Sequence, residues 1–276
     1  MKTTVMLVAL YFSAIGNVQA LETINFPSQP GPHSAFKIKK AAAKGLQLAP
    51  RPSTELTGYL GTPGNTVAAP AVILLHGDNG LKDYHKQWAV QLNQWGYVSL
   101  LIYSFGAMGE QLPESVTVSG DVLSNAYGAY NYLQALPGVD PQRIAVMGWW
   151  GGGSTAFDLV KKTPPPGRKS KKPFTAAVSV YPVCKPNGDV FSAPMLVMLG
   201  DNDKTLQKGH CQQFKLASEE KNPQQQIQLQ VYPGATLFYD DPVHPSDKTQ
   251  KSVYYYAPQA HQDSLQRVKK FLAENL

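Results

Sequence analysis

The sequence predicts an α/β fold, a doubly wound, mostly parallel sheet with helices on both faces. Three observations lead there. Short apolar runs recur with almost no polar interruption, segments of helical periodicity lie between them, and the chemically distinctive residues gather just after the runs.

The runs are "AVILL" at 71–75, "YVSLLIY" at 97–103, "RIAVMG" at 143–148, "TAAVSVY" at 175–181 and "PMLVMLG" at 194–200. A strand with one wet face alternates apolar and polar residues, whereas a strand covered on both faces need not, so these runs point to parallel strands inside a helical sandwich. Between 120 and 136, Val122, Ala126, Ala129 and Leu133 fall on one helical stripe. Leu265, Val268 and Leu272 repeat the pattern near the end of the chain, with Pro258 near the helix start, where its missing N–H costs nothing. Strand and helix alternate without a repeat or linker between them. The 276 residues suffice for one large domain.

Residues 1–20 read as a signal peptide: one basic residue, an apolar run from Val5 to Ile15, and small residues at Val18 and Ala20 before the expected cleavage. The run is short of the ~20 apolar residues that span a bilayer. The mature chain is therefore expected to be exported, periplasmic or secreted, with no membrane association after cleavage. Residues 21–51, with weak periodicity and several prolines and glycines, read as an N-terminal arm, and 52–276 as the α/β domain.

The formal net charge is +6. Much of the excess lies in Arg168 to Lys172, after three prolines, where a solvated loop is the ordinary outcome. No aromatic interleaving or reading motif accompanies it, so no nucleic-acid partner is expected. No residues stand at metal-ligand spacing and no cofactor motif occurs, so neither metal nor cofactor is expected. Cys184 and Cys211 are the two cysteines. In an exported chain an even count favours one disulfide, provided the Cα atoms lie within about 7 Å; two buried free thiols are the alternative.

Four strand ends carry the chemistry: "VILLHGDNG" at 72–80, "MGWWGGG" at 147–153, "MLGDND" at 198–203 and "VYPGATLFYDDP" at 231–242. With "WAVQLNQWGYVSLLIYSFGAMG" at 88–109 and the "YPVC" before Cys184, this ordered set resembles the dienelactone hydrolase family of α/β-hydrolases from about Thr57 to the C-terminus. The resemblance implies the α/β-hydrolase fold and an ester or lactone hydrolase with a nucleophile, an acid and a histidine in that chain order.

Carried onto this sequence, the nucleophile belongs between Gly148 and Gly152 on a tight strand-to-helix turn, at Trp150. An indole does not attack a carbonyl. The acid falls on Asp203, and the histidine, two residues after "YPGA", falls on Leu237, which can neither take nor return a proton. The oxyanion donors would be backbone N–H groups at Gly151 and in the loop after Gly77, which includes Asp78, and they do not depend on side-chain identity. The resemblance also makes Cys184 and Cys211 a pair.

His76 is expected to position its loop, and His33, His85 and His261 to be solvated. His210 and His244 are the candidates for a displaced histidine, and Ser154, Ser104 or a cysteine for a displaced nucleophile. Ser154 lies in the following helix, a turn too deep. Trp149 and Trp150 either fill space in a relaxed turn or furnish the old pocket as platform or plug. The leading expectation is a catalytically impaired or inactive member that binds a small ester, lactone or acid. The alternatives are an active hydrolase with a displaced nucleophile and histidine, and an exported interaction module using the 168–172 loop and Tyr254–Tyr256.

Overall fold

The apolar runs become the centre of one eight-stranded sheet. The computed structural model describes residues 20–33, 35–64, 67–104, 122–163, 174–205, 209–246 and 252–276. The strands are β1 (Glu22–Pro27), β2 (Glu55–Gly61), β3 (Ala69–Leu75), β4 (Val98–Tyr103), β5 (Val139–Trp149), β6 (Ala177–Val180), β7 (Met195–Gly200) and β8 (Ile227–Tyr232). The helices are α1 (Ala35–Ala42), α2 (Asp83–Gln94), α3 (Val122–Ala135), α4 (Gly151–Val160), α5 (His210–Lys221) and α6 (Pro258–Asn275).

The strand order is β1-β2-β4-β3-β5-β6-β7-β8. β1 and β2 pair antiparallel, as do β2 and β4, and every other pair is parallel. The continuous runs are buried on both faces, as their lack of alternation requires. Val72 to Leu75, Leu100 to Ile102 and Ala145 to Met147 are all essentially closed to solvent. Within α3, Ala126, Ala129 and Leu133 are fully buried, so the helical stripe is the face that meets the core. Pro258 opens α6 at its first turn.

The N-terminal stretch is more than an arm. Glu22–Pro27 adds the sheet's edge strand, in register with Glu55–Gly61 from Glu22 opposite Leu60 to Pro27 opposite Glu55, and Phe26 is buried. Its polar, proline-bounded sequence lacks the apolar signature of a central strand because an edge strand needs only one covered face. The expected signal peptide lies almost wholly outside the described residues. Among the described residues no helix is long and apolar enough to cross a membrane. Cys184 and Cys211 form a disulfide, with Cα atoms 5.0 Å apart, which ties the loop after β6 to the first turn of α5.

Two glycines set the close approach that builds the site. A Cβ on Gly148 would stand 2.2 Å from the Gly152 carbonyl oxygen, and one on Gly152 would stand 2.2 Å from that of Leu75. α4 therefore packs backbone to backbone on β3 and β5, and its first turn lies at the sheet's carboxyl edge.

Candidate functional site at the sheet's carboxyl edge

Trp150 sits between the end of β5 and the start of α4 with φ 49° and ψ −112°. A non-glycine residue there carries about 1–3 kcal/mol of backbone strain, which persists only where surrounding contacts fix it. Those contacts are present. The Trp150 N–H donates to the Val180 carbonyl at 3.0 Å, and the Trp150 carbonyl accepts from the Ser154 N–H at 2.9 Å and from its hydroxyl at 3.2 Å. The turn is not relaxed: the geometry that presents a side chain is intact, and an indole occupies it.

Strain clusters around this turn. Among the described residues four non-glycine residues have positive φ, and three of them, Trp150, Tyr181 and Phe238, stand at neighbouring points of the carboxyl edge. Their rings touch: Trp150 meets Phe238 edge-to-face at 5.8 Å, and Tyr181 meets Phe238 at 5.7 Å. Tyr254 and His244 complete the group, packing on Phe238 at 5.0 Å and 5.9 Å. Trp150, His244 and Tyr254 are half-buried around a closed Phe238.

Asp203 lies in the turn after β7. Its Oδ1 accepts from the Thr205 N–H at 2.8 Å and hydroxyl at 2.6 Å, while Oδ2 is closed to solvent and has no hydrogen-bond partner. The loop carrying Leu237 runs alongside, because the Asn202 N–H donates to the Ala235 carbonyl at 3.0 Å. Leu237 itself is fully buried. Neither candidate for a displaced histidine serves Asp203: the His244 ring lies 3.9 Å from Asp241, and no contact joins His210 to Asp203 among the described residues.

Gly77, Asp78 and Gly151 come together as the sequence suggests. A Cβ on Gly77 would lie 3.4 Å from the Trp150 Cβ, and one on Gly151 would lie 2.3 Å from Asp78 Oδ1. The Asp78 carboxylate therefore stands at the N-terminus of α4, where the helix dipole favours negative charge. Partial burial nevertheless raises its pKa above the ordinary aspartate value.

His76 does position its loop. Its Nε2 accepts from the Ser104 N–H at 3.1 Å, which fixes the neutral tautomer, so Nδ1–H donates to the Gly77 carbonyl at 2.8 Å. Burial holds its pKa down at about 4. His85 is not solvated: it is fully buried, its Nδ1 accepts from the Lys82 N–H at 2.9 Å, and its ring meets Trp149 edge-to-face at 4.8 Å. Helix α2 turns it inward on the same face as Tyr84 and Trp88. His261 is also partly enclosed, with Nδ1 3.1 Å from the Tyr256 hydroxyl and its ring beside Trp88.

No motif marks the two buried acids of "LFYDDP", Asp240 and Asp241. Asp240 is fully closed to solvent; Oδ2 accepts from the indole N–H groups of Trp149 at 2.9 Å and Trp88 at 3.1 Å, and Oδ1 from the Tyr181 hydroxyl at 2.9 Å. That hydroxyl's proton being committed, Tyr84 donates to Tyr181, at 3.2 Å. Burial raises the Asp240 pKa, against the three donors and the nearby His261, which pull it down. Trp149 is thus a hydrogen-bond donor beneath the turn, not filler. An acid at the centre of "LFYDDP" was the available signal.

Of the alternative nucleophiles, the cysteines and Ser154 are engaged elsewhere. Both cysteines are in the disulfide. The Ser154 hydroxyl donates back to Trp150 and accepts from the Val183 N–H at 3.1 Å. Ser104 has a buried hydroxyl without a partner, but the nearby His76 has both ring nitrogens occupied. Tyr254, Tyr255 and Tyr256 are each partly exposed, and Tyr254 and Tyr256 make internal ring contacts. The 168–172 loop lies outside the described residues.

The sequence profile of the dienelactone hydrolase family matches residues 56–276. A Bradyrhizobium sp protein described as "Probable 2-oxo-3-(5-oxofuran-2-ylidene)propanoate lactonase" is 27% identical over 199 residues, covering 64% of this chain and 76% of its own. Among solved structures, a dienelactone hydrolase-like promiscuous phosphotriesterase from metagenomic libraries superposes with a TM-score of 0.67 at 18% identity, covering 93% of this chain and 99% of its own. A propionate-bound thermophilic esterase from Thermogutta terrifontis gives 0.58 at 16% identity, covering 80% and 90%.

Proposed function

Since this chain belongs to the dienelactone hydrolase family, we infer that it keeps that family's ligand site without its acyl-transfer chemistry, and that it binds a small neutral ester or lactone beside Trp150. The observation that carries this reading is the strained turn itself: φ 49° is maintained at a residue whose side chain has no nucleophilic atom. Asp203 supports it from the other side, since the oxygen left for an orienting bond has no partner and Leu237 fills the place expected for an imidazole. Without an attacking group and a proton carrier, backbone donors supply only modest acceleration.

Charge selects the ligand. A carbonyl oxygen suits the N–H groups at the start of α4, but a carboxylate there meets Asp78, whose oxygens crowd Gly151. The neutral ester or lactone is therefore preferred over the corresponding acid. The Cys184–Cys211 bond supports an exported, oxidising location for this activity.

The test pairs turnover with binding. The purified chain is assayed on a short-chain activated ester against a buffer control, and its melting temperature is followed with a lactone, an ester and the matching acid. This reading expects no turnover above the control and stabilisation by ester or lactone but not by acid. Sustained hydrolysis, or stabilisation by the acid alone, contradicts it.

A further inference from the structure

The N-terminal stretch between β1 and β2 forms an open cavity of about 490 Å³, within the range of small-molecule sites, ~300–1,000 Å³. Its wall is largely apolar, formed by Pro32, Ile38, Ala42, Leu46 and Leu48 among others. It lies wholly before residue 56, outside the part of the chain matched by the family, so the site beside Trp150 does not account for it.

Three further observations say what the cavity takes. Of the nine exposed large hydrophobic residues among the described ones, three line it, Ile38, Leu46 and Leu48, with Leu46 59% exposed. Scattered exposed leucines need no explanation, but a cluster around a concavity does. Second, charge is one-sided. No acidic residue occurs between Glu22 and Glu55, while Lys37, Lys39, Lys40, Lys44 and Arg51 all fall in that interval. Third, the wall holds an unused polar atom: His33 donates Nε2–H to the Ala49 carbonyl at 2.9 Å, and its Nδ1 is closed to solvent with no partner.

We propose that this cavity binds a single-chain anionic amphiphile of the fatty-acid type, its alkyl chain against Ile38, Leu46 and Leu48 and its anionic head among the lysines of α1 and Lys44. The apolar wall supplies affinity by burying hydrocarbon. The lysines, whose stems also cover apolar surface, select the sign of the head group. A neutral alcohol of equal length binds less well, and a cationic amphiphile worst.

The test is calorimetric titration of the purified chain with n-decanoate below its micelle concentration, alongside decyltrimethylammonium, butyrate and phosphatidylglycerol vesicles. The expected result is saturable decanoate binding at least 10-fold tighter than the cation, with butyrate silent. Ala42→Trp, which fills the cavity, weakens decanoate at least 10-fold. Leu46→Glu does the same from a surface position and so guards against a folding defect. The triple variant Lys39→Glu, Lys40→Glu, Lys44→Glu reverses the preference for charge. Equal binding of the cation, indifference to both apolar variants, or association with vesicles without saturable decanoate binding overturns the proposal.

Discussion

The indole N–H of Trp149 donates to Asp240 Oδ2 at 2.9 Å, with both side chains fully buried. The tryptophan doublet thus divides its work: Trp149 anchors the turn from below through a carboxylate shared with Trp88 and Tyr181, and Trp150 packs edge-to-face on Phe238 above.

Removing that anchor has a defined cost. A hydrogen bond to a charged group contributes about 1.5–3 kcal/mol, so Trp149→Phe lowers stability by about that amount, read from the urea midpoint at constant slope. An unchanged midpoint contradicts the role given to Asp240.

Stability also falls with acid in a definite window. His76 is buried neutral with its pKa held down at about 4, whereas the unfolded chain protonates it near 6.5. The unfolded state therefore binds more protons in between, and the stability His76 contributes is complete above pH 6.5 and lost as pH falls towards 4. His85 shifts in the same direction by burial. The His76 part amounts to about 3 kcal/mol from the size of the shift. Thermal melts between pH 7 and 4.5, compared with His76→Gln, measure it; parallel curves for both proteins contradict it.

Backbone contact at α4 predicts a contrast between glycines. Gly152→Ala forces a Cβ to 2.2 Å from the Leu75 carbonyl and is expected to cost about 2 kcal/mol or more, as overpacked sites do. Gly64→Ala meets nothing within 4 Å and leaves the midpoint unchanged. Equal effects of the two would show that the approach of α4 to β3 is looser than described.

On the proposed function, ester hydrolysis is expected to appear only when both positions change. Trp150→Ser places a hydroxyl on the strained turn, and Leu237→His brings an imidazole towards the unpartnered Asp203 Oδ2. General base catalysis is worth about 10²–10⁴-fold, so the double variant exceeds either single variant by roughly that factor in activated-ester hydrolysis. Equal rates for the serine variant and the double variant would remove Leu237 from the account.

Much of this was legible in the sequence because continuous apolar runs have few outcomes other than buried parallel strands. The central strands β3, β4, β5 and β7 follow their runs to within a few residues. β1 was less visible, since an edge position tolerates a polar, proline-flanked segment. The positions of Trp150 and Asp203 on a turn and a strand end followed from the family resemblance, carried by the glycines beside them. The fate of the histidines did not, because whether His85 faces water or the core depends on the packing of α2 against Trp149, which no local pattern encodes. Asp240 was hidden for the same reason: its three donors come from three distant segments of the chain.

Whether the turn at Trp150 presents a reactive group is read by intact-mass analysis after prolonged exposure to a serine-directed fluorophosphonate. The natural sequence is expected to stay unmodified, and the Trp150→Ser, Leu237→His variant to carry a single adduct that is lost on denaturation before treatment. A stoichiometric adduct on the natural chain, mapped to Ser104, Ser154 or any other hydroxyl at the carboxyl edge of the sheet, would contradict that expectation.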